Sequence, residues 1–257
     1  MENAARGMVD LIERKLGSLA DRRVAVLCGS GNNGGDGIAA ARHIQMRHGE
    51  AKVYLLSPID KLSGDAKTML DAWIGIGGRL QVIGVFSFDE MTPILSESDL
   101  IIDALLGTGL SHPVHGPYKE AIDCINHVRQ TYKIPVVSVD IPSGISADTG
   151  EMLGAAVHAD YTLTMGLPKR GLFLWDGLER RGDWGVVDIG FPKKMIDDAP
   201  LKVNLIGPVG AYNPPSSPRP LNAHKGDFGH LLVIAGSRGK KGAAALTAIA
   251  SLRCGGG

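Results

Sequence analysis

No apolar stretch in this 257-residue sequence approaches the roughly 20 consecutive residues that a membrane-spanning helix needs; runs such as Val24 to Cys28 and Leu231 to Ala235 are a fraction of that length. An excess of one charge is also lacking. The 27 Lys+Arg balance 27 Asp+Glu, with pI near 7.1, which argues against a nucleic-acid or membrane-surface binder driven by bulk charge. The three cysteines, Cys28, Cys124 and Cys254, are too few and too widely spaced for a disulfide framework or a paired-cysteine metal site. A reducing cytoplasm is the expected setting. No GxSxG elbow, HExxH pair or GxxxxGK[ST] loop occurs. No secretory leader is expected at the start, because Glu2, Arg6 and Asp10 interrupt any apolar run there. What is present is the composition of a soluble globular protein, 44% hydrophobic and 21% charged. The 35 glycines are about twice the usual share, and they cluster in loops.

Ala5, Val9, Ile12, Leu16 and Leu19 recur at spacings of four and three, the pattern of an amphipathic first helix. Short apolar runs then alternate with helical stretches: Val24–Cys28, Lys52–Leu56, Gln81–Val85, Leu100–Ala104, Val136–Asp140, Tyr161–Thr164 and Val186–Ile189. Alternation of this kind implies parallel βαβ units. Runs that are continuously apolar fit strands covered on both faces. The expected fold is α/β, a three-layer α/β/α Rossmann-like sandwich with a mostly parallel sheet. Five prolines between Gly207 and Pro220 mark a linker over 207–220. Beyond it, the sequence predicts a strand at Leu231–Ala235 and a helix at Ala243–Leu252. The span 221–257 is too short for a core of its own. The Arg238, Lys240, Lys241 cluster reads equally as a phosphate-facing or a solvated basic loop.

Three strand ends carry polar chemistry. The first runs into Gly29-Ser30-Gly31-Asn32-Asn33-Gly34-Gly35-Asp36-Gly37, a GxGxxG whose N–H groups and helix end could cradle a phosphate. An ordinary dinucleotide fold also calls for an acid after the second strand, where Ser57-Pro58 stands, and Asp36 would put a carboxylate beside the pyrophosphate. The alternative is a tight turn with Asp36 as a helix N-cap. Asp103, inside an apolar run, needs a hydrogen-bond, ionic or cationic partner if buried, or else caps a neighbouring helix. The fifth strand ends in Asp140-Ile141-Pro142-Ser143. Asn33, Asp103 and Ser143 offer hard oxygen ligands suited to an alkali or alkaline-earth cation, leaving Asp140 for acid/base work. His112 and His115 flank Pro113, which spoils a helical ligand pair, so they read as surface or substrate-rim groups.

GSGNNGGDG, DALLGTGLSHPVHGPY, VSVDIPSGISADTG and ADYTLTMGLPKRGL, in this order, make the chain resemble the NAD(P)H-hydrate epimerase family, also called the YjeF amino-terminal domain, from about Met1 to Pro192. HKGDFGHLLVIAGSRGKKGAAALTAIASLRCG is similar to the start of an ADP- or ATP-dependent NAD(P)H-hydrate dehydratase domain of ribokinase-like fold. The resemblance implies an epimerase domain over 1–206 and an incomplete dehydratase domain, its first βα unit, over 221–257. It further implies that the domain interconverts the two carbon-6 epimers of hydrated NADH and NADPH. Asn32, Asn33, Gly34, Gly35, Asp36, Gly107, Thr108, Gly109, Leu110, Ser111, His112, Pro113 and Asp140 would then contact the dinucleotide. Asn33, Asp103 and Ser143 would hold a potassium ion, and Asp140 would be catalytic. The dehydratase, with ADP or ATP and magnesium, is implied for longer relatives and not expected of these residues. No nucleic-acid or membrane partner is expected, and a homo-oligomer is compatible with the pattern.

Two rival readings stand beside this one. A non-catalytic dinucleotide- or RNA-binding scaffold of the same fold has no need of Asp140 together with Asn33, Asp103 and Ser143. An ordinary NAD-dependent oxidoreductase lacks its ribose-binding acid.

Overall fold

In the computed structural model, which describes residues 1–84, 87–205 and 222–254, the apolar runs become strands and the amphipathic stretches between them helices. The chain divides into two compact units, Met1–Leu201 and Lys202–Gly257. The first unit follows the order α1 (Glu2–Leu16), β1 (Arg23–Cys28), α2 (Asn32–Met46), β2 (Glu50–Leu55), α3 (Gly64–Gly75), β3 (Arg79–Val82), α4 (Phe88–Ser96), β4 (Leu100–Ala104), α5 (Gly116–Tyr132), β5 (Val136–Val139), β6 (Tyr161–Met165), α6 (Trp175–Arg180), β7 (Asp183–Val187) and α7 (Lys193–Asp197).

The seven strands form one sheet in the order β3-β2-β1-β4-β5-β6-β7, with every neighbouring pair parallel. β1, β4 and β5 are buried nearly throughout, because helices cover both faces of the central sheet. One core joins α1, α2 and α3 to the sheet through side chains such as Met8, Ile12, Ile44, Leu70 and Trp73; the other sets Leu95, Ile122, Ile125 and Val128 of α4 and α5 against the opposite face. From β1 the chain winds outward through β2 to β3, then returns to the far side of β1 as β4. Strand order therefore reverses between β1 and β4, where open α/β sheets leave a crevice beyond their carboxyl ends.

α2 closes on this crevice because its inner face is made of small residues. Gly34, Gly35, Gly37, Ala39, Ala40 and Ala41 are all buried. A Cβ on Gly37 would lie 2.4 Å from the Ala104 Cβ, and one on Gly34 would lie 1.9 Å from the Gly29 carbonyl oxygen, closer than any side chain can sit.

In the second unit, α8 (Gly242–Arg253) matches the expected helix. The strand expected at Leu231–Ala235 is a correction: those residues form no strand, and Leu232 and Ile234 are 81% and 89% exposed. A lone apolar run gains strand structure only when a neighbouring strand takes up its N–H and C=O groups. Among the described residues of this unit the one bridge is Ser237 with Lys240. The proline-rich linker over 207–220, the 206/207 boundary and the Val85 end of the third expected strand lie outside the described residues.

Candidate active site

β1 ends at Cys28, and α2 begins only four residues later, at Asn32. Gly31, in extended conformation, is the residue that precedes the helix. Asp36 is therefore not an N-cap; it lies in the second turn of α2. The loop after β4 rises opposite, and between the two walls lies a cleft of about 560 Å³. Asn32, Asn33, Asp36, Gly107, Thr108, Gly109, Leu110, Ser111, His112 and Asp140 line it. Gly34 and Gly35 sit beneath the lining, packed against Gly29 and Ala66, and Pro113 lies outside it. Five further contributors lie outside the expected contact set: Ser30, Gly31, Leu105, Leu106 and Tyr118. Burial pushes the Tyr118 phenol pKa up, with Ser30 beside it acting the other way.

Asp103 is completely buried in β4. Its Oδ1 accepts the Ser143 hydroxyl at 2.5 Å and the Leu105 N–H at 3.3 Å, while Oδ2 accepts the Ser138 hydroxyl at 2.7 Å and the Ser143 N–H at 2.9 Å. The carboxylate is thus no helix cap; it ties β4 to β5 and to the turn that follows. Burial pushes its pKa up, against these four donors. Ser143 Oγ also lies 3.1 Å from the Leu106 carbonyl oxygen, which accepts the Asn33 side-chain amide at 3.1 Å. Asn33 and Ser143 thereby meet at the Leu106 carbonyl, and Ser143 links that point to Asp103. All of the groups gathered there can present oxygen, and the bonded partners of the buried carboxylate are neutral. That chemistry fits a hard alkali or alkaline-earth cation better than a thiolate- or imidazole-seeking metal.

Asp140 stands one residue past β5 at φ 67°, a left-handed backbone that a non-glycine residue keeps only where its surroundings enforce it. The enforcing contacts come from β6 and the loop beyond. Its N–H donates to the Leu163 carbonyl at 2.9 Å. Its Oδ1 accepts the Met165 N–H at 2.8 Å, the Thr164 hydroxyl at 3.1 Å and the Lys169 ammonium at 2.5 Å. Oδ2 takes none of these bonds.

The matching family model, described as YjeF-related protein N-terminus, covers residues 1–171. The chain belongs to the YjeF-related family. The bifunctional NAD(P)H-hydrate repair enzyme Nnr of Thermofilum pendens is 40% identical over 257 residues, all of this chain and 47% of that protein. Its counterpart in Moorella thermoacetica is 38% identical over 260 residues, all of this chain and 48% of that protein. The chain therefore spans about half the length of the curated relatives it matches. The crystal structure of yeast ynu0 superposes with a TM-score of 0.57 at 22% identity, over 68% of this chain and 73% of that one, and shows the same fold.

Within this YjeF-related domain, Asp36 is a second carboxyl that lines the cleft. Burial pushes its pKa to about 6, helped by Asp140 and Asp65 and opposed by the Met1 amine and Lys169. Its Oδ1 is buried without a hydrogen-bond partner. No helix among the described residues is long and apolar enough to cross a membrane.

Proposed function

We propose that this domain is an NAD(P)H-hydrate epimerase, interconverting the R and S configurations at carbon 6 of hydrated NADH and NADPH. One observation carries the reading: an aspartate fixed by a single oxygen stands in the same cleft as a helix start and a glycine loop. The curated relatives, named as NAD(P)H-hydrate repair enzymes, supply the substrate class.

The start of α2 offers free backbone N–H groups and the positive end of the helix dipole to a pyrophosphate. In this reading Asn32, Asn33 and Asp36 form that wall, with Gly34 and Gly35 packed behind it, and Gly107 to His112 form the other. Asp140 moves a proton to and from the carbon-6 hydroxyl. The proton is delivered as the carbon–oxygen bond breaks and recovered when water re-enters on the opposite face, so no atom or electron is consumed. A positioned acid/base group of this kind contributes about 10²- to 10⁴-fold. Asn33, Asp103 and Ser143 are the residues that would hold a potassium ion. When bound, it supplies positive charge against the buried carboxylate and steadies the loop ends beside the substrate. Dehydration with ADP or ATP and magnesium is not assigned to these residues. A cytoplasmic setting accords with the free Cys28, Cys124 and Cys254.

The test is to supply separated R-NADHX to the purified chain and follow the S form by chromatography, with potassium and with a bulky organic cation in its place. Acceleration over the spontaneous rate, greater with potassium, supports the reading. A rate equal to the spontaneous one, in a folded chain that binds the dinucleotide, leaves only a binding module.

A further inference from the structure

We propose that Lys169 is a positioning residue for this reaction, gripping Asp140 by Oδ1 so that Oδ2 alone is presented to the substrate. The inference rests on the catalytic assignment of Asp140 made above.

Lys169 reaches back from the loop after β6 and spans two acceptors, Asp140 Oδ1 at 2.5 Å and the Met165 carbonyl at 2.8 Å. Its side chain is 22% exposed and that of Asp140 14%. Lysine ordinarily keeps its ammonium in water, and an exposed ion pair contributes little to stability. Here the ammonium is drawn in and gives up freedom on a flexible stem, an arrangement that favours a fixed geometry over a gain in stability.

Two further observations point the same way. Lys169 does not line the cleft, whereas Asp140 does, so its charge reaches a substrate through the carboxylate rather than by contact. All the side-chain bonds to Asp140 fall on one oxygen, and they come from a single direction, the β6 end and its following loop. Together with the left-handed backbone at Asp140, these contacts over-determine the carboxylate plane. Asp36, on α2, shares the cleft with Asp140 and feels Lys169 as an opposing positive charge. The other charged groups acting on Asp36 are Asp65 and the Met1 amine.

The experiment compares Lys169→Met, Lys169→Arg and Asp140→Asn in the full chain, with R-NADHX as substrate. Lys169→Met is expected to lower kcat about 10- to 100-fold with KM changed less than about twofold, the signature of lost alignment and not of lost ground-state binding. Lys169→Arg should recover part of that loss, and methylammonium added to Lys169→Ala should raise kcat saturably. An unchanged kcat, a raised KM with kcat intact, or loss of the native fold in Lys169→Met would each overturn the proposal. The Asp140→Asn control separates the two readings. If it is fully active, the assignment of Asp140 fails; if it is inactive while Lys169→Met is normal, only the role of Lys169 fails.

Discussion

Ser143 is joined to Asp103 twice: its N–H donates to Oδ2 at 2.9 Å, and its hydroxyl donates to Oδ1 at 2.5 Å. The pair locks the turn after β5 to the strand that ends beside it, across a sequence distance of 40 residues. Because Asp103 is fully buried, these bonds stand in for the water the carboxylate has lost.

Ser143→Ala should therefore cost about 1–3 kcal/mol, the usual penalty for leaving a buried polar group short of a partner. Urea unfolding would show the loss. The potassium concentration giving half-maximal epimerisation should also rise, since the variant removes one proposed ligand. An undiminished midpoint together with unaltered potassium dependence would contradict the convergence of Asn33, Asp103 and Ser143 on a cation.

Asp36 predicts an unusual pH dependence of stability. Its pKa is about 6 in the folded chain against an ordinary 3.8, so between those values the folded state holds a proton that the unfolded state has lost. Stability contributed by this group therefore falls as pH rises through that window, and the penalty is fully present above it. Asp36→Asn should be more stable than the parent at about pH 8, by at most about 3 kcal/mol. The gain should disappear at about pH 3.5, below both values. Paired denaturation curves at the two pH values check this. An equal difference at both would mean that the carboxyl is not held protonated.

Gly34 and Gly31 make opposite predictions within one loop. A Cβ on Gly34 would stand 1.9 Å from the Gly29 carbonyl oxygen, whereas a Cβ on Gly31 meets nothing within 4 Å. Gly34→Ala should lower stability by about 1–3 kcal/mol or more by forcing α2 off the loop, and dinucleotide binding should fall with it. Gly31→Ala, at an extended φ of −86°, should change thermal stability little. Equal melting temperatures for the two variants would refute the close packing of α2 on β1.

The central strands were legible because both faces are covered, which leaves short uninterrupted apolar runs such as Val24 to Cys28 alternating with helical stretches, the pattern of buried parallel strands. The approach of Ser143 to Asp103 followed from their places near the carboxyl ends of neighbouring strands, where the topology itself makes a crevice. Lys169 and Thr164 were not legible as partners of Asp140. They meet it through the packing of β6 against β5, a tertiary relationship that local patterning does not carry. Tyr118 was hidden for a similar reason, since its place beside the cleft depends on how α5 packs against the loop after β1. The error at Leu231–Ala235 has the opposite origin. The run has strand composition, but composition supplies no neighbour to complete its hydrogen bonds.

The most direct test of the account is the rate at which R-NADHX converts to its S form with the parent chain and with Asp140→Asn, measured side by side under saturating substrate and potassium. The account predicts that the parent exceeds the spontaneous rate and that the variant, still folded and still binding the dinucleotide, loses about 10²-fold or more of that excess. A variant that epimerises as fast as the parent would contradict it.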